Sequence, residues 1–84
     1  MPVIAFFLGI TIKMYFQLSE HNPPHVHVEY GGHACAMAIA DGALLDGTLP
    51  LRQQRYAREW IDINREELRS MWETQEFRRL PGVV

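Results

Sequence analysis

The sequence is poor in three things: it has one cysteine, Cys35, one lysine, Lys13, and no long apolar run. A lone thiol cannot build an internal disulfide framework or a four-cysteine zinc site, and it fits a reducing compartment. The bulkiest apolar stretch, Val3 to Leu8, is six residues long, whereas a membrane-spanning helix needs about 20. It also lacks the basic flank and cleavage site of a signal peptide, so it reads as a strand, and the expected location is the cytoplasm with no membrane contact. Positive charge is scarce as well, with a formal net charge of −2. Residues 1–50 set Lys13 against Glu20, Glu29, Asp41 and Asp46, a net of −3, while residues 51–84 set seven arginines against six acids, a net of +1. That balance argues against broad, charge-driven nucleic-acid binding. It leaves a local stripe, Arg52, Arg55 and Arg58, as the nucleic-acid candidate.

What remains is an ordinary globule: 84 residues, 48% apolar and 21% charged, outside the disordered and membrane classes. We expect one domain over 1–84, with a sheet over 1–47, a helical segment over 48–77 and a loose tail over 78–84. A core this small is marginal, so a second copy or a partner is expected to complete it.

Residues 3–8 and 10–18 are rich in β-branched and aromatic side chains, with Gly9 between them as the turn signal. In the second run Ile10, Ile12, Met14, Phe16 and Leu18 alternate with polar residues and Tyr15, the period of a half-buried strand. Pro23 and Pro24 have no amide to donate and stiffen a loop from Ser19. Gly31-Gly32 then separates two alternating runs and predicts a hairpin that pairs Tyr30 with His33, Val28 with Cys35 and Val26 with Met37. Across the other face His25, His27 and Glu29 oppose Ala38, Ala36 and Ala34, at Cβ separations of about 4.5–5.5 Å. Three methyl groups there leave a trough beside the imidazoles. Asp41-Gly42 and Asp46-Gly47 read as further turns, with Ala43 to Leu45 a short strand whose Leu44 faces Ile39.

After Thr48, a candidate N-cap, with Pro50 in the first turn, the period changes to about 3.6. Ala57, Trp60, Ile61, Asn64, Leu68, Met71 and Trp72 share one stripe, so residues 50–75 read mainly as one helix. Asn64 with Glu67 resembles a capping box, and a break near Asn64 is the alternative. The expected fold class is therefore α+β: an antiparallel meander of four to five strands, with a long or broken C-terminal helix on one sheet face. The helix should cover the side of Ile12, Met14, Phe16, Val26, Val28, Met37 and Ile39. The histidine face is left for solvent or a partner.

Three of the four histidines fall within His21 to His27, and His25, His27 and Glu29 share one face of a strand. Imidazole and carboxylate suit a divalent metal such as zinc, nickel or copper, with His21 swinging in from the loop. Alternate Cα atoms on a strand stand about 6.5–7 Å apart, so convergence demands favourable rotamers. Paired histidines also suit general acid and base work in phosphoester cleavage. The bland alternative is hydrogen bonding on a wet face, with His25 bracing the Pro23-Pro24 turn. His33 reads as a rim residue and Cys35 as a small buried hydrophobe. For the helix, spacing allows Arg55–Glu59, Arg58–Asp62 and Arg69–Glu73 pairs at i,i+4, a self-neutralised face.

The combination of Phe7-Leu8-Gly9-Ile10, Met14-Tyr15-Phe16, His21-Asn22-Pro23-Pro24-His25-x-His27, Glu29-Tyr30-Gly31-Gly32, Arg58-Glu59-Trp60, Glu66-Glu67-Leu68 and Trp72 resembles a small bacterial family of unknown function. Val26 stands where that pattern has an aromatic. The resemblance implies membership of two-gene cassettes of the toxin–antitoxin kind, and so a homodimer or a small cognate protein partner. It implies no activity.

Overall fold

The computed structural model describes residues 3–15 and 23–82, in which five strands are followed by two helices. The strands are β1 (Val3–Phe7), β2 (Ile10–Lys13), β3 (His25–Tyr30), β4 (His33–Ala38) and β5 (Leu44–Gly47); the helices are α1 (Leu51–Ile63) and α2 (Arg65–Thr74). They form one antiparallel sheet in the order β1-β2-β3-β4-β5, a meander as expected. The expected β3–β4 register holds at every pair, from His25 opposite Ala38 to Tyr30 opposite His33. Of the two glycines in that turn only Gly31 uses positive φ, at 57°, the φ pattern of a II′ hairpin. Among the described residues no helix is long and apolar enough to cross a membrane.

Three local features of the sheet differ from the expected ones. Strand β2 ends at Lys13, where its pairing with Val3 of β1 is exhausted; Met14 still points into the core, and residues 16–18 lie outside the described ones. Asp46-Gly47 is not a turn but the end of β5, paired with Ala36 and Cys35. Pairing jumps from Met37–Leu44 to Ala36–Asp46, so Leu45 is the extra residue of a bulge. Gly47 has φ of 82°, and a Cβ there would stand 2.2 Å from the Ala34 carbonyl oxygen. The Asp-Gly signal therefore marks a close backbone approach, not a chain reversal. Leu44 opposes Met37 but stays 39% exposed, because β5 is the last strand of the sheet among the described residues.

The helical segment is broken at Asn64 (φ −106°, ψ 16°), as the alternative reading had it. Asn64 does not cap α2 through its side chain: its Nδ2 donates back to the Trp60 carbonyl at 3.0 Å. Glu67, the other half of the expected capping box, pairs with Arg78 instead. Thr48 is not the N-cap of α1 either; Pro50 takes that place without a side-chain bond, its fixed φ already suiting a helix entry.

Both helices bury the expected stripe, Ala57, Trp60, Ile61, Leu68, Met71 and Trp72, against Ile12, Met14, Val26, Val28, Met37 and Ile39. Each such large side chain withdrawn from water contributes about 1.5–3 kcal/mol. The tail is not loose as far as it is described. Leu80 is buried, its N–H donates to the Ile4 carbonyl at 2.7 Å, and the Pro81 carbonyl accepts from Trp60 Nε1 at 2.9 Å. A buried indole needs an acceptor, and β1 is an edge strand with backbone groups to satisfy; the tail answers both.

Candidate functional site

The outer face of the sheet is built by alternation. Lys13, His27, Ala36 and Asp46 stand in register across β2 to β5, and Thr11, Glu29 and Ala34 form the next row. Because Ala34 and Ala36 carry only methyl groups, the expected trough exists as a depression of about 180 Å³ walled by His27, Glu29, Asp46 and Gly47. The Lys13 ammonium lies 3.1 Å from Glu29 Oε2, neutralising one wall. Asp46 forms the other.

The histidines do come together. The His25 and His27 rings lie 5.1 Å apart at 67°, His27 meets Tyr15 edge-on at 4.4 Å, and His25 lies 5.2 Å from Trp72. Four rings thus run in a row across this end of the sheet. His25 Nδ1 is 2.8 Å from the Pro23 carbonyl. A carbonyl only accepts, so in the neutral ring Nδ1 carries the proton and Nε2 has the lone pair. This is the bracing of the diproline turn expected from sequence.

One expectation about this face is corrected. It is bare of helix only from His27 towards Asp46, since at the other end Trp72 of α2 reaches over the sheet margin and His25 is just 9% exposed. Trp60 stays on the core side, stacked on Phe7 at 5.8 Å. Nothing local in the sequence marks Tyr15, Asp46 or Trp72 as site residues: Tyr15 is part of an alternating strand, Asp46 belongs to a turn-like Asp-Gly pair, and Trp72 falls on the core stripe. His21 lies outside the described residues. Among those described, no group of three or more His, Cys, Asp or Glu is placed to hold a metal ion.

The remaining candidates are peripheral to the sheet face. His33 sits on the exposed rim with Nδ1 3.5 Å from Thr48 Oγ1. Cys35 is buried in the core, and burial pushes its thiol up to about 11, so at neutral pH it is an unreactive thiol. On α1, Arg52, Arg55 and Arg58 line a concavity of about 320 Å³ with Tyr56, Glu59 and Asp62. The expected i,i+4 ion pairs are not formed among the described residues. Asp62 instead pairs with Arg65, whose Nε donates to the Ile39 carbonyl at 2.8 Å, and Arg58 Nε donates to the Gly42 carbonyl at 3.3 Å. Arg58 and Arg65 thus both bond to carbonyls of the turn between β4 and β5.

Fold and face together define a small α+β domain with a helical layer on one side and an alanine-floored, histidine-walled trough on the other. Residues 9–73 match the model of a family described as a domain of unknown function (DUF4160), and the chain belongs to that family. Neither the comparison with curated proteins nor that with solved structures returned a match.

Proposed function

We propose that this protein is an interaction module that pairs with a second copy or with a small cognate protein through the open part of the sheet face. The observation that carries the reading is the trough over Ala34 and Ala36, a concave, unfilled strip between His27, Glu29 and Asp46. Such a strip accepts a protruding side chain, and the acidic balance of residues 1–50 favours a basic one. The toxin–antitoxin-like cassette that the motif resemblance implies supplies a natural partner of this kind, and the buried Cys35 thiol suits a cytoplasmic setting. Light scattering on the protein alone and with the product of its neighbouring gene tests this. We expect a homodimer or a complex that Ala36→Arg disperses, and a strict monomer in both samples would refute it.

A second reading is favoured by the 5.1 Å approach of the His25 and His27 rings. It takes them as two ligands of zinc, nickel or copper, with His21 as the third, and a metal-bound water as the nucleophile for phosphoester cleavage. Thermal melts with each metal decide it: stabilisation that is lost in His27→Ala supports the site, and melts unchanged by all three metals remove it.

A further inference from the structure

The geometry points to a second binding site, on the helical layer, for a small phosphate ester bearing a planar ring, such as a nucleoside diphosphate. Arg52, Arg55 and Arg58 stand at i, i+3 and i+6 of α1, so they fan across one side of it, and all three line the same concavity. Their local charge is not cancelled. Of the two acids in the lining, Asp62 is taken by Arg65, and Glu59 alone remains against three guanidinium groups.

Arg58 is positioned as well as present. Its Nε is held by the Gly42 carbonyl, and a Cβ at Gly42 would stand 2.7 Å from Arg58 Cγ, so the β4–β5 turn packs on its stem. Among the described residues nothing accepts from the terminal nitrogens of Arg58, nor from any side-chain nitrogen of Arg52 or Arg55. Guanidinium groups with open forks match phosphate oxygens two at a time. Tyr56, packed in part against the core and half-buried at the edge of the concavity, leaves the rest of its ring to meet a planar group, and Glu59 offers an acceptor for sugar hydroxyls.

Size and charge select a small ligand over a polymer. A volume of about 320 Å³ sits at the lower end of small-molecule sites, which run from roughly 300 to 1,000 Å³. The whole chain carries −2, with the deficit on the sheet half, and duplex DNA presents one negative charge per about 1.7 Å of its axis. A confined positive spot on an acidic protein holds one or two phosphates and repels the next ones along a strand.

Calorimetry at physiological salt, with adenosine diphosphate, inorganic phosphate, adenosine and a short single-stranded DNA as probes, tests the assignment. The diphosphate should bind saturably, phosphate more weakly and adenosine not at all. The exposed pair Arg52→Gln with Arg55→Gln should weaken the diphosphate at least about tenfold. Silence of both phosphate probes, or undiminished binding in the double variant, would overturn the site. Tighter binding of the DNA than of the diphosphate, with a steep salt dependence, would overturn it in favour of a nucleic-acid surface.

Discussion

Gly47→Ala is the substitution that the structure makes most costly for its size. It adds one methyl group at a φ of 82°, where the new Cβ would lie 2.2 Å from the Ala34 carbonyl oxygen and 2.8 Å from Cys35 Cα. The left-handed conformation alone costs an L-residue about 1–2 kcal/mol. The contacts are with backbone, which has no rotamer to swing away, so β5 must lift off β4. That strains the ladder around Gly47 and the Thr48 N–H bond to the same Ala34 carbonyl, 3.1 Å long. Each net bond lost is worth about 0.5–1.5 kcal/mol, which brings the total to roughly 3 kcal/mol. In a domain this short each kcal/mol moves the melting temperature by about 4–8 °C, so the midpoint should fall by more than about 10 °C. Two controls separate the terms. Gly31→Ala meets nothing within 4 Å but keeps a positive φ of 57°, so it should show only the conformational cost of about 1–2 kcal/mol. Gly32→Ala has neither handicap and should be near neutral. Urea unfolding of the three variants is the assay, and a Gly47→Ala cost no larger than that of Gly31→Ala would refute the close approach and the β5 register with it.

The Cys35 thiol, pushed up to about 11 by burial, stays protonated in the folded chain while an unfolded thiol ionises near its ordinary value; stability should therefore hold below about pH 8.5 and fall as pH rises towards 11. Thiol titration at pH 8 should show modification only at the rate of unfolding, whereas immediate labelling would contradict the burial. Trp60→Phe shrinks a fully buried side chain and removes the Nε1 bond to Pro81; we expect a loss of more than about 1 kcal/mol and faster proteolysis of the tail, checked by limited digestion. Lys13→Ala breaks the pair with Glu29 and should cost at most about 1 kcal/mol, less in high salt; a larger, salt-insensitive loss in denaturant titrations would show that the trough wall is structurally required.

The alternation of Val26, Val28 and Tyr30 with His25, His27 and Glu29, and the diglycine that folds it back, is a strictly local code. Side-chain period and turn chemistry act within a few residues, so strand order, β3–β4 register and the alanine floor were all legible in the sequence, as was the helical stripe from Ala57 to Trp72. Other features depend on partners distant in the chain. Asp46-Gly47 is chemically a good turn and instead ends β5, paired with Ala36 and Cys35, with Gly47 pressed against the Ala34 carbonyl. Asn64 bonds back to Trp60 and Glu67 pairs with Arg78, so neither half of the expected capping box forms. The tail docks because Trp60 and Ile4 each present a polar group in need of a partner. Trp72 lies beside His25 because the broken helix brings its far end to the sheet margin. Local sequence thus determined the ribbon and its two faces; how much of the polar face stays open was decided by tertiary packing, where unsatisfied polar groups and unfilled edges choose among distant partners that no short-range pattern names.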